Sequence, residues 1–80
     1  MTKDDVKIRL VKNFPGSHVE VMDITPEGNH FSVVIISDLF NDLSLLNRHK
    51  LIYSIFENEL TKEIHALQIK ALTQSEWNNK

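Results

Sequence analysis

An α+β domain, with helices packed on one face of a three-stranded mixed sheet, is what this sequence predicts. Three observations carry the prediction. Two β-prone stretches, 18–24 and 30–37, flank a turn built from Thr25-Pro26-Glu27-Gly28-Asn29, the pattern of an antiparallel hairpin. A helical stretch then separates the second from a third alternating stretch, 64–72. A right-handed strand–helix–strand crossover lays that third strand parallel to the one it follows. Third, helical patterns open and close the chain, giving the order helix, strand, strand, helix (or two), strand, helix.

Residues 2–14 read as the first helix. Thr2 caps it, Asp4 and Asp5 lie beside the positive end of the dipole, and Val6, Leu10 and Phe14 recur every fourth position. Pro15-Gly16 ends it. Val19 and Val21 alternate with polar residues in the first strand. In the second, Phe31, Val33 and Ile35 share one face, and Val34 and Ile36 the other.

Residues 38–60 read as helical, with Asp38 or Asp42 as cap and a possible restart at Ser44 after a break near Asn41. At 100° per residue, Lys50, Ser54, Glu57, Asn58 and Thr61 form a polar stripe, and Ile52, Ile55, Phe56 and Leu60 lie opposite. His49 projects onto the apolar flank. In the third strand His65, Leu67, Ile69 and Ala71 share a face that is buried, and Gln68 and Lys70 a face that is wet. Thr73-Gln74-Ser75-Glu76 is a capping box opening a last short helix, with Trp77 as its anchor to the body.

Length and composition narrow the rest. Eighty residues make one small domain, 1–80, whose core must be economical because so short a chain buries only about 60% of its unfolded surface. There is no cysteine, so no disulfide supports it, and no structural-zinc spacing occurs. The net charge of −2 argues against nucleic-acid binding through overall positive charge, and leaves a local basic patch open. Val33 to Ile36 is the longest apolar run, far too short for a membrane, and the acidic start Met1-Thr2-Lys3-Asp4-Asp5 lacks signal-peptide order. The cytosol is the default compartment.

Without a phosphate loop or a nucleophile–base arrangement, two histidine segments hold most of the chemistry: Leu46-Asn47-Arg48-His49-Lys50-Leu51-Ile52-Tyr53 and Ile64-His65-Ala66-Leu67. Together with Gly28-Asn29-His30-Phe31, Ile36-Ser37-Asp38-Leu39-Phe40, the run from Gln68 to Thr73 and Glu76-Trp77, they resemble the BolA family in order and spacing, over nearly the whole chain.

The resemblance implies a class II KH-like fold and a protein without enzymatic activity. It further implies an interaction module that pairs with a monothiol glutaredoxin, being a monomer alone and a heterodimer with its partner. The pair can share a [2Fe–2S] cluster held on the glutaredoxin side by a cysteine and a glutathione thiol, and the isolated chain binds none. Such proteins are tied to stress response. Some are transcription regulators that bind DNA, which is the alternative reading.

The ligand implied on this side is His65. A second ligand, Cys or His, comes in the family from the first hairpin loop, but residues 23–29 contain neither, and His30 is the nearest candidate. Gly is common in the family where Asn41 stands, and the Gly-x-x-Gly loop of nucleic-acid-binding KH domains is absent.

Taken on residues alone, His65 on an apolar face reads first as a core histidine; the resemblance makes it a ligand. His30 is open between the two roles, with its side chain on the face opposite Phe31. His49 reads as framework and His18 as a solvated strand-start residue. Arg48 has two roles available, bonding backbone carbonyls or binding a carboxylate on a partner or on glutathione. Lys50 and Lys70, with Arg48, are the candidate contacts to a partner or to nucleic acid.

Overall fold

Helix α1 (Lys3–Asn13) starts where local chemistry says it should. The Thr2 hydroxyl accepts the Asp5 N–H at 3.1 Å and the Asp5 carboxylate accepts the Thr2 N–H at 3.0 Å, a reciprocal capping box. Those hydrogen bonds to Thr2 hold the Asp5 carboxyl below its ordinary range. Val6 and Leu10 are fully buried and Phe14 closes the helix. Gly16, at φ +79°, takes the left-handed turn into the sheet. The computed structural model describes residues 1–60 and 62–79, so Thr61 of the expected polar stripe lies outside the described residues.

Strand β1 (His18–Asp23) pairs antiparallel with β2 (His30–Ile36), from His18 opposite Ile36 to Asp23 opposite Phe31. Strand β3 (Ala66–Leu72) runs parallel to β2, from His30 beside Ala66 to Ile36 beside Leu72, and the order is β1-β2-β3. The expected mixed sheet is therefore present. Phe31, Val33 and Ile35 lie with Val19, Leu67 and Ala71 on the inner face, in one core with Val6, Leu10, Phe14, Phe40, Ile52, Phe56 and Ile64. Ile36, on the outer face, is nonetheless buried at 5% exposure. The half-buried Trp77 stands with it, His18 and Gln74 around a shallow groove.

Residues 38–60 differ in part from the expectation. Asp38–Phe40 is a short 3-10 turn capped by the Ser37 hydroxyl, and helix α2 (Leu45–Ile55) starts at the Ser44 cap. The left-handed residue in the break is Asp42, at φ +68°; Asn41 has an ordinary φ of −56°. Helix α2 stops at Ile55, five residues short of Leu60. At that end Arg9 of α1 donates to the Ile55 carbonyl at 3.4 Å, pairs with Glu59 and lies over the Phe56 ring at 5.2 Å. One of the helix's orphan carbonyls is thus satisfied from another helix.

Arg48 is buried, at 6% exposure. Its guanidinium donates to the Leu43 carbonyl at 3.0 Å, to the Ala71 carbonyl at 3.0 Å, and to both oxygens of Glu76 at 2.7 and 3.3 Å. Glu76 belongs to helix α3 (Gln74–Asn78), and its carboxylate also accepts the Thr73 N–H at 2.8 Å in the expected capping box. One side chain therefore joins α2, β3 and α3, and the carbonyl role is the one Arg48 performs.

The same contacts cover the edge of β3. Ser37 N–H bonds the Leu72 carbonyl and Ala66 N–H bonds Asn29, so even-numbered residues of β3 face β2 and odd-numbered ones face outward. Of the outward carbonyls, Leu67 accepts from the Tyr53 hydroxyl at 3.1 Å and Ala71 from Arg48.

Replacing Arg48 by Met keeps the apolar stem but leaves the Ala71 carbonyl without its donor. Urea unfolding should show a loss of about 2 kcal/mol, the cost of breaking a buried charge-assisted network. The Arg48 guanidinium first, then the Thr73 N–H, lowers the Glu76 carboxyl from 4.5 to about 2. The folded value lies below the unfolded one, so the stabilisation is present above pH 4.5 and fades as pH falls toward 2. Unfolding midpoints of wild type and Glu76→Gln should converge across that window.

Candidate metal-ligand site

The hairpin loop and the entry to β3 meet at one end of the sheet. His30 opens β2, and its parity with Ser32, Val34 and Ile36 puts it on the outer face, opposite Phe31 as expected. Ile24 N–H bonds the His30 carbonyl at 2.8 Å and closes the loop. Gly28, at φ +70°, supplies the left-handed turn that brings the chain back.

His65 departs from its expected place. Strand β3 begins at Ala66, while Ile64, fully buried, forms an isolated bridge with Leu60. His65 occupies the bend between them and is exposed, not part of the apolar face of Leu67 and Ala71. The cause is Asn29, whose carbonyl accepts both the His65 N–H at 2.8 Å and the Ala66 N–H at 3.4 Å. The backbone of His65 is thus fixed while its ring reaches solvent. A core-histidine role is excluded by that exposure.

The His30 and His65 rings lie 6.2 Å apart between centres, tilted by 51°. Iron–nitrogen bonds of about 2 Å would need the donor nitrogens roughly 3 to 4 Å apart. Rings at this separation meet that need only when their facing edges turn toward each other. The residues present fit a site shared with another molecule. Two imidazoles adjoin, there is no cysteine, and among the described residues no group of three or more His, Cys, Asp or Glu could hold a metal ion. An iron–sulfur cluster takes four ligands, so at least two would come from elsewhere.

The remaining candidates do not converge on this point. Arg48 as a contact for a partner or nucleic acid is corrected by its burial and its internal bonds. Lys50 is exposed on α2, which packs through Ile52 against the inner face of the sheet. Lys70 is exposed on the outer face, in register with Val34. The two lysines therefore belong to opposite sides of the molecule. His49 is half-buried, in keeping with framework, and His18 pairs with Glu20 at 3.1 Å on the surface.

Asn29 was legible in sequence only as a turn residue. In the structure its side chain also contacts His65, with its NH2 nitrogen 3.5 Å from Nδ1, while its amide oxygen accepts from the Thr25 hydroxyl at 3.3 Å. The signal available was its position directly before His30, at the end of a turn whose carbonyls face the next strand.

Comparison with known proteins agrees with this architecture. The family model described as BolA-like protein matches residues 7–76. Over 79 residues the chain is 39% identical to Protein BOLA2 of Arabidopsis thaliana, covering 96% of this chain and 84% of that one. It is 36% identical to the DNA-binding transcriptional regulator BolA of Escherichia coli (strain K12), covering 96% and 80%. A bol-like protein from Babesia bovis, solved by crystallography, superposes with a TM-score of 0.86 at 31% identity, covering 99% and 92%. The chain belongs to the BolA-like family.

Because the His65 ring is exposed and its backbone bonds do not depend on the side chain, His65→Ala should leave the fold intact. Thermal unfolding followed by circular dichroism should place its stability within about 0.5 kcal/mol of wild type.

Proposed function

We propose that this protein is an interaction module that binds a monothiol glutaredoxin and shares or transfers a [2Fe–2S] cluster, with His65 as its principal ligand and His30 as the second. The observation that carries the reading is an exposed imidazole held by its backbone at a strand entry, beside a second imidazole. A neutral imidazole is a competent ligand for such a cluster, as Rieske-type centres illustrate. The cluster supplies the electron-transfer and iron-carrying chemistry; this chain supplies an oriented nitrogen and a docking surface. The partner and its glutathione supply the thiolates that a chain without cysteine lacks. The role is one of binding rather than catalysis, in iron–sulfur and redox homeostasis and in stress response. We place it in the cytosol; no described helix is long and apolar enough to cross a membrane.

Visible circular dichroism of a cluster-loaded monothiol glutaredoxin titrated with this protein tests the reading. Wild type should change the spectrum with a defined end point, His65→Ala should not, and His30→Ala should weaken the change. Identical spectra with wild type and His65→Ala would remove it.

A second reading, a nucleic-acid-binding regulator, is favoured by the name of the Escherichia coli relative. Against it stand the net charge of −2, the internal use of Arg48 and the separation of Lys50 from Lys70 by the sheet. It requires duplex DNA binding that weakens with salt by a few powers on a log–log plot. We expect no binding at 50 mM salt in fluorescence anisotropy; measurable binding lost in Lys50→Ala or Lys70→Ala would favour the regulator.

A further inference from the structure

One face of the sheet is packed against the core helices; the other carries the alternate side chains of all three strands. Register sets these in rows. The middle row is Glu20, Val34 and Lys70, since Glu20 stands opposite Val34 and Val34 beside Lys70. Glu20 and Lys70 are exposed, one at each rim, and the half-buried Val34 separates them. Their strands are two spacings apart, about 10 Å between backbones. They form no ion pair with each other. Among the described residues Lys70 has no ion-pair partner, and Glu20 has only His18, 3.1 Å from Oε2. The flanking rows are apolar: Met22, 69% exposed, lies on one side, and the half-buried Leu72 and Trp77 lie on the other.

We propose that this open face is a self-association surface whose occupant is a second copy of the chain. A two-fold axis parallel to β2, passing above Val34, places the copy. That rotation exchanges the rims: β1 of each copy lies over β3 of the other. Glu20 then meets Lys70 of the second copy, Lys70 meets the second Glu20, and Val34 rests on its own counterpart. Packed sheets keep their strand directions within about 30° of each other, an offset that a lysine stem can span. The other in-plane axis, perpendicular to the strands, lays Glu20 on Glu20 and Lys70 on Lys70, and like charges brought together across an interface are costly. The charges therefore admit one orientation and reject the other. A second copy carries the required pattern by construction, because a two-fold interface uses the same patch twice. The result has an apolar middle between charged rims, the usual anatomy of an interface. Three strands and about six residues of each give roughly 300 Å² of sheet per copy, from spacings of about 4.8 Å and 3.3 Å. An interface of that size belongs to weak, transient association, so the chain stays monomeric at micromolar concentration and pairs near millimolar.

Sedimentation equilibrium of the full chain, taken up to about 2 mM, tests the pairing. Wild type should dimerise with a dissociation constant of about 0.1 to 1 mM. Glu20→Lys alone and Lys70→Glu alone each set like charges at both contacts and should weaken dimerisation about tenfold or more. An equimolar mixture of these two variants has an unlike pair at each contact again and should associate as wild type does. The double reversal Glu20→Lys/Lys70→Glu, which only exchanges the signs, should do the same. Far-UV circular dichroism confirms that each variant is folded. A wild type that stays monomeric at the highest concentration, single variants that dimerise as tightly as wild type, or a mixture and a double reversal that both stay monomeric overturns the proposal.

Discussion

A single buried guanidinium ties α2 and α3 to strand β3. Arg48 is placed by the first turn of α2, yet its bonds reach Leu43 before the helix, Ala71 on β3 and Glu76 on α3. Burying such a charge is costly unless all its directions are answered. Here carbonyls and a carboxylate answer it, and the guanidinium lies near the Phe40 ring at 5.8 Å. In a domain with so small a core, that network ties the short C-terminal helix, of five residues, to the body. Without it α3 has a good cap and no buried residue of its own.

Arg9 repeats the device at the other end of α2. It satisfies the Ile55 carbonyl, pairs with Glu59 and covers Phe56. Helix α2 is thus pinned near both termini by arginines with different attachments: one on the helix itself, one on α1. Beyond α2, the buried Ile64 and the bend at His65 bring that residue to the end of the sheet. The position of the candidate ligand is set by the close of α2, by the buried Ile64 and by the carbonyl of Asn29, before any partner is involved.

Much of this is readable in the sequence because the governing forces are local. The Thr2 cap, the Thr73 capping box, the hairpin turn and the alternation of Phe31, Val33 and Ile35 depend on residues a few positions apart. What escaped depends on distant residues. The end of α2 at Ile55 is met by Arg9, 46 positions earlier, while helical periodicity in the sequence continues past it to Leu60. The sequence pattern starts β3 two residues early because Ile64 has the apolar character of a strand residue, while its bridge to Leu60 and the hold of Asn29 on His65 are tertiary. The same limit applies to the site. His65 and His30 were visible as residues, but their proximity and the role of Asn29 arise from the register of two strands 36 positions apart.

The two outer strands of the sheet differ in what they can join. Tyr53 and Arg48 occupy two outward carbonyls of β3, Leu67 and Ala71, so a strand arriving at that edge would find those acceptors already taken. Strand β1 is the opposite edge of the same sheet. The hydroxyl and guanidinium that stabilise the fold therefore also blunt one edge of the sheet against pairing with another strand.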